Sequence, residues 1–230
     1  GGYMRLKWAI LRTMSMKALI LAASIGLIYN PGAVAAGPSA IVEDVNASGA
    51  GVAFMDYVAP GRIIRLGAKG TLTLGYLRSC LRETITGGKV TVGMEQSEVA
   101  GAKLVRERIE CDGTKLLLTP AQAAKSMGAV FRAPPPGGGL PQPQFTLYGA
   151  SPVISLSTPS GTVVLERLDR PAQPLTIAVE GGFADLALLK KSLKPGGIYQ
   201  ARDGKFAVVF KVDRYARPGR GPLVGRLIRF

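Results

Sequence analysis

Short apolar runs, each soon interrupted by glycine or proline, make up most of this 230-residue chain. Thr71 to Leu74 alternates polar and apolar residues after a glycine, and Lys89 to Val92 does the same. A period of two residues is typical of a strand with one buried face, and glycine and proline favour the turns between strands. The sequence therefore predicts a mainly β fold of antiparallel strands.

The start of the chain has a different pattern. Four basic residues and no acidic residue precede the apolar run Ala18 to Ile28. After this run, Ala33 to Ala35 has the small residues of a cleavage site. This order is typical of a secretory signal peptide, and the run is shorter than the roughly 20 residues that span a bilayer. We expect residues 1–35 to be removed, leaving a periplasmic or secreted protein without a transmembrane span. An uncleaved anchor or a buried helix is the alternative.

Two cysteines, Cys80 and Cys111, are the only ones in the chain. An even number of cysteines in an exported protein favours a disulfide, because the compartment is oxidising. We therefore predict a Cys80–Cys111 bond. Two buried free thiols are the alternative.

Histidine is absent from the sequence. Without imidazole there is no Ser-His-Asp or Cys-His nucleophile and no histidine-ligated zinc or haem, so we expect no cofactor and no metal. Glu43 and Asp44 are adjacent carboxylates, but they lie near the start of the predicted mature chain, where we expect fraying. The sequence favours a non-catalytic protein that acts in binding or scaffolding. The alternative is an envelope enzyme that acts on a cell-wall or surface polymer with carboxylate or Ser/Lys chemistry.

Proline and glycine are concentrated in residues 133–144. Proline lacks a backbone donor and glycine favours flexibility, so this segment predicts a linker between two β domains, 41–132 and 145–230. A long loop inside one domain is the alternative. We also expect a hairpin turn at Gly87–Gly88, another at Asp203–Gly204, and short helices over 119–127 and 184–193.

The run from Ala59 to Leu74 places a proline-glycine turn, a strand, a glycine turn and a second strand in order. This rhythm resembles that of FecR-type periplasmic domains. The resemblance implies that domain 41–132 is a FecR-like β unit with a recognition role in the cell envelope. The run from Ala59 to Leu74 contains no catalytic group.

A second motif, Leu193-x-Pro195-Gly196-x-x-Tyr199, lies directly before a predicted strand. It resembles the corner between the fifth and sixth strands of fibronectin type III and related immunoglobulin-like domains. The resemblance implies that 145–230 is an immunoglobulin or fibronectin-like sandwich. It also implies that the hydroxyl of Tyr199 bonds to backbone upstream. A plain Pro-Gly turn is the alternative.

Positive charge is in excess, at +14 for the whole chain, and it is dense near the C-terminus. Five arginines follow Asp213 without an acidic residue among them: Arg214, Arg217, Arg220, Arg226 and Arg229. Such a face favours an anionic partner, which in the envelope would be an acidic protein, an anionic polymer or a lipid headgroup. Nucleic acid is not expected there. The alternatives are a peripheral membrane protein that uses this face, and arginines that only keep the protein soluble.

Overall fold

The computed structural model describes residues 37–113, 115, 139–204 and 206–230, which form a mainly β structure. The predicted signal peptide, the predicted helix over 119–127 and residues 133–138 of the predicted linker lie outside these described residues. Within them, no helix is long and apolar enough to cross a membrane. The prediction of a mainly β fold is confirmed.

The first sheet contains six antiparallel strands. In chain order they are β1 (Ala40–Asn46), β2 (Tyr57–Val58), β3 (Ile63–Tyr76), β4 (Leu81–Thr91), β5 (Glu98–Ala100) and β6 (Lys103–Arg108). Their spatial order is β2-β1-β3-β4-β5, and β6 pairs with the other end of β4. All the strands that precede the predicted linker belong to this sheet.

The second sheet contains eight strands. They are β7 (Phe145–Gly149), β8 (Val153–Ser155), β9 (Ser160–Arg167), β10 (Leu175–Glu180), β11 (Phe183–Asp185), β12 (Ile198–Asp203), β13 (Phe206–Arg217) and β14 (Leu227–Arg229). Their order is β14-β8-β11-β10-β9-β12-β13-β7. β7 pairs parallel to β13 and β14 parallel to β8. These two pairs depart from the antiparallel prediction, because long connections rather than hairpins join their strands.

Glycines bend the first sheet instead of ending its strands. The predicted turn at Gly87–Gly88 is wrong: both residues lie within β4, with φ of +74° and +71°. Opposite them, Gly67 interrupts the register of β3, so the two strands that we predicted within 63–74 are one strand. A positive φ inside a paired strand produces a bulge and a stronger twist. The sheet therefore curls, with β5 on one end of β4 and β6 on the other.

A core fills the curve of each sheet. In the first sheet, the inward residues of β3 are almost fully buried, including Ile64, Leu72 and Leu74. In the second, Leu147 of β7 and Ile228 of β14 belong to the same core although their strands lie at opposite ends of the strand order. This sheet therefore curls around its own core, which makes it sandwich-like.

A third apolar cluster joins the two sheets. Ile41 and Leu77 of the first half pack with Val153, Val224 and Leu227 of the second, and all five are nearly inaccessible to solvent. The described residues accordingly form one compact unit. Whether the two halves fold as separate domains stays a prediction.

The segment predicted as a helix over 184–193 has another structure. Its start belongs to β11, which pairs with β8 and β10, and a turn follows from Leu186 to Lys190. Lys190 has φ of +54°, which stops helical growth. By contrast, the predicted turn at Asp203–Gly204 is confirmed, since β12 and β13 form a hairpin around it.

The bulge supports a prediction that compares two facing glycines. Gly67→Ala should cost about 1 kcal/mol, because alanine is strained at a φ of +68° but its Cβ meets no atom within 4 Å. Gly88→Ala should cost about 3 kcal/mol, because its Cβ would also lie 2.6 Å from the carbonyl oxygen of Gly101. Urea unfolding measures both. Equal losses would contradict the close approach of Gly101 to Gly88.

Candidate functional site

The five C-terminal arginines have different environments. Arg214 and Arg217 lie on β13, Arg220 lies in the loop that follows, and all three are exposed. Arg226 follows a short 3-10 helix, Leu223–Gly225, and Arg229 lies on β14. We call residues 214–222 the arginine loop.

The prediction that Arg226 belongs to an exposed basic face is wrong, because its side chain is only 5% exposed. Its guanidinium forms two parallel hydrogen bonds with the carboxylate of Asp185, Nη1 to Oδ1 at 2.7 Å and Nη2 to Oδ2 at 3.0 Å. It also donates to the backbone oxygens of Ser151 and Gly221. A guanidinium with these partners is a structural cross-link and cannot reach a ligand.

Arg229 also has a partner within the protein. Its guanidinium lies 4.5 Å from the centre of the Tyr57 ring, in a cation–π contact between the second sheet and the first. Burial raises the pKa of Tyr57, and the nearby charge of Arg229 opposes that change. Arg229 is half-buried, so it contributes little to an exposed face.

The three remaining arginines are available to solvent. Among the described residues, no carboxylate lies within 4.0 Å of the guanidinium groups of Arg214, Arg217 or Arg220. Arg214 lies 4.7 Å from the ring centre of Tyr215, which is 74% exposed. The arginine loop therefore presents three cations and one aromatic ring to solvent.

The loop is held by its backbone. Gly219 donates its N–H to the hydroxyl of Ser151 at 3.1 Å, and the carbonyl of Gly221 accepts from Arg226 at 2.9 Å. Gly219 has φ of +106°, a value that favours glycine. These hydrogen bonds fix the backbone from which the exposed arginine side chains extend.

A cleft of about 410 Å³ lies beside the arginine loop. Ile109 and Glu110 of the first half form one wall, and Tyr148 and Arg217 of the second half lie opposite. Burial raises the pKa of the Tyr148 hydroxyl, and the negative charges of Asp112 and Glu110 add to the effect. The cleft thus combines aromatic rings, positively charged side chains and the carboxylate of Glu110.

The predicted disulfide is confirmed and stabilises that wall. Cys80 and Cys111 are bonded, which links the turn before β4 to the segment after β6. Ile109 donates its N–H to the oxygen of Cys80 at 2.9 Å. Asp112 then accepts from the N–H of Thr146 at 2.7 Å, so the same segment contacts β7.

Glu43 joins the two halves and is not in a frayed segment. A bulge in β1 between Val42 and Asp44 leaves Glu43 outside the strand pairing. Its carboxylate accepts from the backbone N–H groups of Leu223 at 2.9 Å and Val224 at 3.4 Å, and from Nε of Arg82 at 2.7 Å. Sequence reasoning missed this role, because only the bulge directs the side chain.

A second cavity of about 250 Å³ lies at this junction and contains both Glu43 and Asp185 in its lining. Burial alone would raise the pKa of Asp185, but hydrogen bonds from Arg226 and from the N–H of Ala187 outweigh it. The net pKa is therefore lowered. Both carboxylates already accept hydrogen bonds from an arginine and from backbone.

A polar network lies inside the first half. Glu83 is fully buried and accepts from the N–H of Ser97 at 3.1 Å and from Nε of Arg106 at 2.7 Å. The Tyr76 hydroxyl lies 2.7 Å from Oγ of Ser97, and burial raises the pKa of Tyr76 to about 12. These groups bond to one another, so the network holds the loop before β5 in place.

Tyr199 contacts the backbone just upstream. Its hydroxyl donates to the carbonyl of Lys194 at 3.1 Å and accepts from the N–H of the same residue at 2.9 Å. Leu193 is buried below the turn, Pro195 is exposed in it, and Gly196 has φ of +75°. The four motif residues thus fix the entry into β12 and leave no free group for chemistry.

Asp185→Asn should lower the free energy of unfolding at pH 7 by about 3 kcal/mol, because it breaks the buried pair with Arg226. In the native protein the lowered pKa of Asp185 stabilises the fold above the unfolded pKa of about 3.9, and this stabilisation is lost as the pH falls further. Below about pH 4, the melting temperature of Asp185→Asn should therefore change less with pH than that of the wild type.

Asp44→Asn is the control, since Asp44 is exposed on β1 and has no arginine within salt-bridge distance among the described residues. Thermal unfolding followed by circular dichroism at several pH values measures both variants. The same acid profile in wild type and Asp185→Asn would contradict the assignment.

Comparison with known proteins identifies no relative of this chain. The chain matches no protein-family model, no curated protein and no solved structure. A function for this arrangement therefore has to be argued from its own residues.

Proposed function

We propose that this is a non-catalytic protein of the bacterial cell envelope that binds an anionic partner through the arginine loop. One observation carries the proposal: Arg214, Arg217 and Arg220 are exposed, and no described carboxylate pairs with them. Clustered cations repel one another, and an anion relieves that repulsion.

The chemistry of arginine supports the same partner class. A guanidinium is charged at every physiological pH and binds carboxylate or phosphate through two parallel hydrogen bonds. The loop backbone is anchored to Ser151 and to Arg226, so little conformational entropy of the backbone is lost when a ligand binds. Binding is therefore favoured by both charge and preorganisation.

The carboxylates favour binding over the enzyme alternative. A general acid or base needs a proton that it can exchange with a substrate. Glu43, Asp185 and Glu83 each accept hydrogen bonds from an arginine and from backbone, so their carboxylate oxygens are bonded within the protein. These three groups thus serve the fold.

Location in the envelope completes the proposal. The basic, apolar and small-residue order of residues 1–35 supports export, and the Cys80–Cys111 disulfide suits an oxidising compartment. The resemblances of the two halves to FecR-type and immunoglobulin or fibronectin-like domains agree with recognition in that compartment. The peripheral membrane alternative uses the same cations and is developed below.

Inorganic polyphosphate, a soluble polyanion, tests the proposal by isothermal titration calorimetry. Arg217→Gln combined with Arg220→Gln should weaken binding about tenfold or more and reduce its salt dependence, because two charge-assisted contacts are lost. The control is Arg65→Gln with Lys89→Gln, an exposed pair that faces across β3 and β4 and removes the same charge. Equal weakening in both double variants would show that net charge alone acts and would overturn the assignment.

A further inference from the structure

A turn with two exposed leucines lies next to the arginine loop. Leu188 is 61% exposed and Leu189 is 48% exposed, although neighbouring Leu186 is fully buried. We call residues 186–191 the leucine turn. It is held by its backbone, since the N–H of Lys191 donates to the oxygen of Leu186 at 2.8 Å. Adjacent large apolar side chains on a fixed, solvent-facing turn are typical of a contact surface.

Ser151 connects the leucine turn to the arginine loop. Its hydroxyl donates to the carbonyl of Lys191 at 2.8 Å and accepts from the N–H of Gly219 at 3.1 Å. One buried side chain therefore holds both segments side by side at the same end of the second sheet. Arg226 reinforces the junction, because it binds Asp185, directly before the leucine turn, and Gly221 in the arginine loop.

Cations border the exposed leucines. Six exposed basic residues lie in the leucine turn, in the segment that follows it and in the arginine loop: Lys190, Lys191, Lys194, Arg214, Arg217 and Arg220. Two acids lie among these cations: Asp213 on β13, whose carboxylate accepts from the N–H of Tyr215, and Glu110, which lines the cleft with Arg217 and Arg220. Asp185 is neutralised by Arg226. The surface is therefore strongly positive around an apolar tip.

We propose that this surface docks on an anionic lipid membrane, with Leu188 and Leu189 inserted at the level of the headgroups and the cations bound to lipid phosphates. The proposal rests on the proposed function and names its partner class. Membrane affinity of peripheral proteins increases with inserted apolar area and with attraction to anionic lipid. Lysine and arginine suit this position, since their long stems extend along apolar surface while the charge stays in water.

The leucines favour a membrane over a soluble polyanion. A polysaccharide or free polyphosphate gains nothing from exposed aliphatic side chains, because its surface is hydroxylated or charged. An aliphatic tip in a basic border instead matches a bilayer, where hydrocarbon lies just below the phosphates. Tyr215, which is 74% exposed on the arginine loop, has the amphipathic ring that is favoured at that interface.

Sedimentation with vesicles tests the proposal, using the full disulfide-bonded chain so that any contribution of residues 1–35 is common to all variants. Vesicles of phosphatidylcholine with phosphatidylglycerol should bind the wild type, more weakly as salt increases, and pure phosphatidylcholine should bind less. Leu188→Ser with Leu189→Ser should lower binding to the anionic vesicles about tenfold. Val105→Ser should not, although Val105 is 55% exposed on β6.

Polyphosphate binding separates this inference from the proposed function. We expect the leucine double variant to bind polyphosphate as the wild type does, and Arg217→Gln with Arg220→Gln to lose binding to both ligands. Polyphosphate binding without vesicle binding would overturn the membrane inference alone. Failure to bind either ligand at low salt would overturn both. Vesicle binding unchanged by the leucine variant would overturn the insertion of this turn.

Discussion

The buried pair of Arg226 and Asp185 is the interaction on which the candidate surface depends. Asp185 ends β11 directly before the leucine turn, and Arg226 lies between the 3-10 helix that follows the arginine loop and β14. Because a guanidinium has five donors in one plane, Arg226 can bind this carboxylate and still donate to Ser151 and Gly221. One side chain thus fixes both exposed segments. An apolar pair could fill the same space, but it could not satisfy those backbone oxygens.

A second carboxylate links this end of the protein to the first half. The bulge in β1 directs Glu43 to the N–H groups of Leu223 and Val224, and Gly75 leaves the space, since a Cβ there would lie 2.5 Å from Val224. The 3-10 helix that Glu43 holds leads directly into Arg226. The contact between the two sheets therefore also helps to fix the position of the arginine loop.

The sequence predicts what depends on neighbouring residues. Period-two alternation locates the strands, and two cysteines in a chain predicted to be exported predict their bond. Gly87–Gly88 shows the limit, because the positive φ that closes a hairpin also produces a bulge. Only pairing with Gly67, about twenty residues away, selects the bulge. Arg226 shows the same limit for charge: the sequence gives the cation, but the burial and the partner at Asp185 come from strand order.

Burial divides the C-terminal arginines into two groups with different roles. Arg226 and Arg229 lie against a carboxylate and a tyrosine ring, whereas the exposed three lie on one loop. Arginines that served only solubility would need no common position, and they would gain from distance because like charges repel. The Ser151 hydroxyl instead bonds both to this loop, at Gly219, and to the end of the leucine turn, at Lys191, and that turn carries the exposed Leu188 and Leu189. Neither charge nor apolar area alone explains that arrangement, whereas the membrane partner that we propose is both anionic and backed by hydrocarbon.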